Sequence, residues 1–217
     1  MQHENEVGFN GGNGAYRAVG GVVGYNAGVI DSVKVYGSIV VNRIYSNTVG
    51  VVGTNDVHNP SLGQYALKNC ENNASVFSNG NVGGIMGNNF GNGSDLKNNG
   101  LIEIFICSVW RPKNNNPNKT EEVVENKAAG GVFGHNNSGF IIGCSNTATI
   151  KYANPDVDNS KDLRPRIGLI GGYNRGSYNI VNYSAGGSVN HGTLLNKSSN
   201  NQRQYANNNA FGENIAG

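Results

Sequence analysis

The stretch GGVVGYN (residues 20–26) has three glycines and two valines, too much glycine for a helix and too many apolar residues for a loop. Close copies follow as VGVVGTN (49–55), GGIMGNN (83–89), GGVFGHN (130–136) and GLIGGYN (168–174), with a weaker copy, NNAFGEN, ending at Asn214. The copies are separated by about 29 to 47 residues, an interval typical of stacked supersecondary units. The chain is therefore an array of repeats joined by connections of variable length.

A second block follows each of the first five copies, and its aligned columns keep their character. The versions are VIDSVKVYGSI (29–39), YALKNCENNASV (65–76), GSDLKNNGLI (93–102), FIIGCSNTATI (140–150) and YNIVNYSAGGSV (178–189). Its columns are apolar or thiol (Val33, Cys70, Leu96, Cys144, Tyr183), asparagine-rich (Val35, Asn72, Asn98, Asn146, Ala185), small (Gly37, Ala74, Gly100, Ala148, Gly187) and aliphatic (Ile39, Val76, Ile102, Ile150, Val189). In the first motif, the position of Val22 is taken by Val51, Ile85, Val132, Ile170 and Ala210.

Short, even spacing of apolar residues between glycine and asparagine predicts strands of three to five residues, about three per repeat. Stacked at about 4.8 Å, such strands place aliphatic columns in the interior and asparagine columns in side-chain ladders. We therefore expect an all-β fold, a parallel, right-handed β-helix or solenoid of five to six coils. A β-propeller or sandwich is the alternative, and the single Trp110 outside the repeat columns disfavours a propeller.

The repeats also predict the organisation of the chain. Residues 1–19 form a partial first coil, 20–202 the solenoid repeats with insertions at 111–127 and 153–166, and 203–217 a partial last coil. Both terminal segments carry parts of the motif, VGFN at 7–10 and AFGEN at 210–214. Solenoid ends expose strand edges, so these ends are expected to pair with adjacent repeats or with other copies of the chain.

Charged residues make up 14% of the chain and the net charge is +2. Lys and Arg form no stripe, which disfavours nucleic acid as a partner. No apolar run approaches the ~20 residues that span a bilayer, so membrane insertion is not expected. The 33 glycines and the still more frequent asparagines indicate many tight turns. The 37% of hydrophobic residues at regular places predicts an ordered chain.

The pattern GG-V/I-x-G-x-N, followed by I-x-x-C-x-N-x-A/G-x-V/I, resembles the GLUG repeat over most of residues 20–189, best in GGVFGHNNSGFIIGCSNTATI. That repeat occurs in bacterial surface and secreted proteins, including the non-catalytic region of IgA-cleaving metallopeptidases. The resemblance implies an extracellular or cell-surface β-helical module without catalysis. Peptidase activity in that family belongs to an HExxH zinc motif, and His3-Glu4 is followed here by Asn-Glu-Val-Gly, without the second histidine.

The three cysteines are expected to be packing residues. Cys70 and Cys144 share a column with Val33 and Leu96, which is typical of small buried hydrophobes. Two coils separate them by about 9–10 Å, too far for a disulfide. Cys107 lies in the strand-like run LIEIFICSVW.

A calcium site is the best ligand candidate from the sequence. Asp156, Asp158, Ser160 and Asp162 place oxygen ligands at alternate positions, as a hard cation requires. Lys161 stands where a calcium loop needs glycine, and Ile167 stands where the bidentate glutamate belongs. A solvated polar insertion is therefore favoured, and no other cofactor is expected.

The longest insertion, RPKNNNPNKTEEVVENK (111–127), has the proline and mixed charge of an exposed excursion. Thr120 could cap a single helical turn within it.

Enzymatic function is disfavoured because no aspartate recurs in register and His58, His135 and His191 are scattered. We expect a non-enzymatic extracellular module, a rigid surface spacer or adhesin segment that contacts a cell-surface glycan or protein. The alternatives are a self-assembling subunit that stacks end to end into a filament and a glycan-binding or glycan-cleaving β-helix.

Overall fold

The computed structural model describes residues 17–41, 46–56, 65–105, 109–113, 116–123, 128–153, 166–175, 180–190 and 211–215. Every regular element in these ranges is a β-strand, and none of the described residues belongs to a helix that could cross a membrane.

The strands recur in the same order in five repeats. Repeat 1 contains β1 (Arg17–Gly20), β2 (Val23–Asn26), β3 (Ile30–Asp31), β4 (Lys34–Val35) and β5 (Ser38–Val41). Repeat 2 contains β6 (Ser46–Val49), β7 (Val52–Asn55), β8 (Leu67–Lys68), β9 (Glu71–Asn72) and β10 (Ser75–Ser78). Repeat 3 contains β11 (Asn81–Gly83), β12 (Met86–Asn89), β13 (Gly93–Asn98) and β14 (Ile102–Phe105), followed by the hairpin β15 (Val109–Lys113) and β16 (Asn116–Val123).

Repeat 4 contains β17 (Ala128–Gly130), β18 (Phe133–Asn136), β19 (Ile141–Asn146) and β20 (Thr149–Ala153). Repeat 5 contains β21 (Arg166–Gly168), β22 (Gly171–Arg175), β23 (Ile180–Val181), β24 (Ser184–Ala185) and β25 (Ser188–Asn190), and β26 (Phe211–Ile215) follows.

Equivalent strands of successive repeats pair in parallel and form four sheets. Sheet 1 has the order β1-β6-β11-β17-β21, and sheet 2 the order β2-β7-β12-β18-β22-β26. Sheet 3 has the order β3-β8-β13-β19-β23, with β4, β9 and β24 beside it, and sheet 4 the order β5-β10-β14-β20-β25. The all-β prediction is confirmed, and this mostly parallel arrangement is compatible with a β-solenoid.

The pairing register matches the columns aligned from the sequence. Asn26, Asn55, Asn89, Asn136 and Asn174 are consecutive partners, and Asn174 pairs in turn with Asn214. The aliphatic column is also in register, from Ile39 through Val76, Ile102 and Ile150 to Val189. A slip of one residue would turn every inward side chain outward, so these pairings define the interior.

The expectation of three strands per repeat is wrong, because the chain passes through four sheets. The additional sheet is sheet 1, whose strands lie just before the motif's valine and end at the first glycine position, as in β11 and β17. The next two residues turn the chain from sheet 1 into sheet 2. A Cβ on Gly84, the second glycine in repeat 3, would lie 2.1 Å from the Gly131 carbonyl oxygen. Glycine therefore permits the close approach at this turn.

Two hydrophobic clusters fill the interior. The cluster between sheets 2 and 3 includes Met86, Phe133, Leu96 and Cys144, and the cluster between sheets 1 and 4 includes Val82, Ile167, Ile102 and Ile150. Between them the repeat narrows, because Gly50, Gly84 and Gly131 lie against the buried asparagines Asn72, Asn98 and Asn146. We call this contact the waist.

Each repeat carries a left-handed residue in sheet 3, just before the apolar or thiol column. Ser32, Asn69, Asp95 and Asn182 have φ between 52° and 60°, and Gly143 has φ of 68°. Asn, Asp and Gly tolerate this conformation better than other residues. The five positions differ in residue type but share one backbone conformation, which turns the strand within every repeat.

The interior columns lose their burial at the first and last described repeats. Val22 is 47% exposed and Tyr183 is 45% exposed, whereas Val51, Ile85 and Leu96 are fully buried. Val22 belongs to repeat 1 and Tyr183 to repeat 5. In sheets 1 and 3, the strands of these two repeats have a described neighbouring strand on one side only, so less of each side chain is covered. The expectation that all members of these columns lie in the core is wrong for these two.

Cys70 and Cys144 are free and buried, two repeats apart, as predicted. Burial raises the pKa of both thiols, that of Cys144 to about 12. Cys107 lies outside the described residues.

The excursion after repeat 3 differs from its prediction. β15 and β16 form an antiparallel hairpin in which Pro112 lies opposite Thr120, so the expected helical turn at Thr120 is wrong. An isolated helical turn is unstable in water, whereas a second strand provides backbone hydrogen-bond partners.

Candidate ligand groove

The outer surface of sheets 1 and 2 carries side chains that differ between repeats. In β2, β7, β12, β18 and β22 of sheet 2, the residue before the buried anchor asparagine faces outward, since successive side chains point to opposite faces. These residues are Tyr25, Thr54, Asn88, His135 and Tyr173, and all are exposed or partly exposed. We call them the outer column.

A groove with a volume of about 580 Å³ lies on this surface at repeats 1 to 3. Its lining comes from repeat 1 (Ala18, Gly24, Tyr25), repeat 2 (Asn47, Thr54, Asp56) and repeat 3 (Asn88, Phe90). Each repeat contributes at least one polar or aromatic side chain. The groove therefore runs along the stacking direction.

Hydrogen bonds hold several of the groove side chains in place. The Tyr25 hydroxyl donates a short hydrogen bond to the Asp56 carboxylate, and this bond raises the pKa of Tyr25. Asn47 donates from Nδ2 to Thr54 Oγ1 (3.3 Å) and accepts from Asn81 Nδ2 (3.2 Å). Asn47 is almost fully buried. Its hydrogen bonds to Thr54 and Asn81 therefore fix the side chains at the bottom of the groove.

At repeats 4 and 5 the outer column contains two neutral rings, His135 and Tyr173, with Arg166 beside them. The His135 and Tyr173 rings meet edge to face with centroids 4.3 Å apart, and Arg166 Cζ lies 4.6 Å from the Tyr173 centroid. Burial, with smaller contributions from Arg166 and Arg175, lowers the pKa of His135 to about 4. His135 Nε2 is buried, and no described residue hydrogen bonds to it. This histidine is therefore neutral at physiological pH.

Sheet 3 presents a different outer surface, built from paired charges. Lys34 Nζ lies 3.0 Å from Glu71 Oε2, and Lys68 Nζ lies 3.6 Å from Asp31 Oδ2. Exposed pairs of this kind contribute about 0–1 kcal/mol. Within each pair the two charges offset one another at this surface.

The calcium candidates Asp156, Asp158, Ser160 and Asp162 lie outside the described residues. Within the described ranges, no three His, Cys, Asp or Glu residues cluster to hold a metal ion. The insertion 111–127 is described only for the backbone of 111–113 and 116–123.

The sequence did not single out the groove residues Asp56 and Phe90. Each directly follows an anchor asparagine, so one signal was available: the position after the anchor is occupied by Ala27, Asp56, Phe90, Asn137 and Arg175. The backbone amides of Asp56, Phe90 and Asn137 bond to the neighbouring repeat, so stacking at this position does not require one type of side chain.

Searches with the chain found no matching protein-family model, no curated protein and no solved structure with significant similarity.

Proposed function

We propose that the chain is a right-handed parallel β-solenoid that acts as a non-enzymatic, rigid spacer or adhesin segment outside the cell. The observation that carries the proposal is the pair of buried asparagine ladders that connect the repeats.

The first ladder runs along sheet 2. Asn26, Asn55, Asn89 and Asn136 each donate from Nδ2 to Oδ1 of the next anchor asparagine over 2.8 to 2.9 Å. The end of the ladder also closes its own turn, because Asn26 exchanges two hydrogen bonds with Gly28. Buried amide groups cost free energy unless they are paired, so the ladder couples each repeat to its neighbour.

The second ladder runs through the waist. Asn72 donates to Asn98, and Asn98 donates to Asn146, each over 2.7 Å. Asn72 also donates to the Ala74 carbonyl oxygen and accepts from the Ala74 amide. Two ladders at separate places resist bending and twisting together, which suits a spacer.

Small-angle X-ray scattering of the whole chain tests the spacer proposal. Five to six coils at about 4.8 Å are about 25–30 Å long, so we expect the scattering of one rigid particle of that length, unchanged with concentration. Scattering from a broad set of conformations would contradict it. Protease treatment of intact cells, followed by antibody detection, tests the extracellular location: the chain should be cleaved before a cytoplasmic marker.

End-to-end assembly is a second candidate function, favoured by the edge formed by repeat 1. The strands β1, β2, β3 and β5 each end their sheets among the described residues, and unpaired edges can pair with another chain. Size-exclusion chromatography and electron microscopy test this candidate. Filaments that lengthen with concentration support it, and a monomer at high concentration excludes it.

A further inference from the structure

We propose that the groove across repeats 1 to 3 binds an extended, neutral carbohydrate chain along the stacking direction. The inference rests on the adhesin part of the proposed function and names its ligand class, whereas the spacer part requires no ligand.

Two exposed aromatic rings stand at the groove. Tyr25 is 54% exposed and Phe90 is 41% exposed, and they belong to repeats 1 and 3. Neither ring contributes to the two interior clusters. The apolar face of a pyranose ring packs well on an aromatic face, which offers a large, rigid, apolar surface. The hydrogen bond to Asp56 holds the Tyr25 side chain in place, so less ordering is needed on binding.

Polar groups between the rings match the hydroxyl groups of a sugar. Thr54 and Asn88 each carry a group that can both donate and accept, whereas the Asp56 carboxylate is occupied by the Tyr25 hydroxyl on one oxygen and buried at the other. Asn88 Oδ1 accepts a hydrogen bond from Asn137 Nδ2 (2.5 Å). This bond orients the Asn88 amide so that its own Nδ2 points away from Asn137. A planar amide that is already held in one orientation is suited to hydrogen bonding with two neighbouring hydroxyl groups of a sugar.

The charge of the lining selects against acidic ligands. Among the described residues that line the groove there is no lysine or arginine, and Asp56 is the single carboxylate. An acidic polysaccharide or a nucleic acid would bring further negative charge toward Asp56. A neutral glycan meets no such penalty.

The repeat distance favours a polymer. Neighbouring strands in a sheet are about 4.8 Å apart, close to the length of one sugar unit in an extended chain. A groove lined by three successive repeats therefore presents side chains at the spacing of successive sugar units. Its volume lies within the range of about 300–1,000 Å³ that is typical of small-ligand sites.

The experiment is a glycan array probed with the whole chain, with neutral, acidic and sulfated glycans side by side, followed by calorimetry with the best binder. We expect binding to neutral extended glycans, with an affinity that changes little as ionic strength rises. Binding to acidic glycans alone, binding that salt abolishes, or no binding to any glycan would overturn the proposal.

Variants locate the site. Phe90→Ala and Tyr25→Ala are each expected to weaken binding about tenfold, the loss expected for one aromatic contact. Tyr25→Phe keeps the ring but loses the bond to Asp56, so a smaller loss is expected. Tyr36→Ala is the matched control, because Tyr36 is 68% exposed and does not line the groove.

Circular dichroism spectra and thermal midpoints show whether each variant is folded. Full affinity in both folded alanine variants would overturn the proposal, as would an equal loss in Tyr36→Ala. The spacer proposal does not depend on these results, since it is tested by scattering without a ligand.

Discussion

Replacing Asn98 with alanine tests whether the waist ladder holds the repeats together. Asn98 is fully buried in the central repeat, and its side-chain amide takes part in three hydrogen bonds. It donates to the Gly100 carbonyl oxygen (3.0 Å) and to Asn146 Oδ1 (2.7 Å), and it accepts from Asn72 Nδ2 (2.7 Å). A net contribution of about 1 kcal/mol per bond gives about 3 kcal/mol, and the uncompensated carbonyl and small cavity raise the loss to about 3–5 kcal/mol.

Urea unfolding followed by far-ultraviolet circular dichroism measures this loss as a shift of the midpoint at unchanged slope. The matched control is Asn99→Ala, one residue away. Asn99 is exposed and bonds Glu71 and Asn73 at the surface, so its replacement should cost about 0–0.5 kcal/mol. Equal midpoints for the two variants would refute the ladder as the connection between repeats.

Asn98→Asp sharpens the same test because it keeps the shape and removes both donated bonds. Desolvation should raise the pKa of the introduced carboxyl group in the folded state. The folded state then binds the proton more readily than the unfolded state. The variant should therefore regain stability as pH falls and lose it as pH rises. A variant whose deficit relative to the parent chain does not change with pH would contradict this reasoning.

Three further predictions follow from the interior and the outer column. The pKa of His135 is lowered to about 4 from 6.5, so unfolding takes up a proton between these two pH values and the free energy of unfolding should fall as pH drops from 6.5 to 4. In urea titrations, His135→Phe should reduce that fall by about 1–3 kcal/mol. The same pH dependence in the variant and the parent chain would contradict this prediction. The thiol of Cys144, whose pKa is raised to about 12, should resist alkylation in the native chain and react in urea. Mass spectrometry of the modified peptide measures this difference. Rapid alkylation of the native chain would refute the burial of Cys144. Gly143→Ala should lower the free energy of unfolding by about 1–2 kcal/mol, because φ is +68° at this position. Asn182→Gly, at φ +54°, should leave stability unchanged or raise it by up to about 1 kcal/mol. A Gly143→Ala variant that unfolds at a higher temperature than Asn182→Gly would contradict the role of the left-handed backbone at these positions.

The sequence was sufficient for the parallel register because the inward columns are limited by size and polarity. Val76 must fill the same space as Ile102 and Ile150, so all three are aliphatic and the alignment follows from residue type. The anchor asparagines are likewise limited to one residue, since each amide must donate to the next and accept from the previous one.

Other features could not be predicted because residue type does not reveal them. Ser32, Asp95 and Gly143 look unrelated in sequence and share only a left-handed backbone. Sheet 1 was missed because its strands are short and end in glycine, a residue that weakens strands in general. The glycine is needed in this fold because Gly50 and Gly84 lie against Asn72 and Asn98 across the waist, a contact between distant parts of the chain.

The waist is also the place where repeat 5 departs from the pattern of repeats 2 to 4. In repeats 2 to 4, glycine faces asparagine. In repeat 5 the glycine position holds the buried Leu169, and the asparagine position holds Ala185, which the register aligns with Asn146. Repeat 5 thus has a large residue on one side of the waist and a small one on the other. Outer residues such as Tyr25 and His135 lie outside the waist and differ from repeat to repeat. In an array whose interior is specified by stacking, selectivity for a ligand must come from these outer positions.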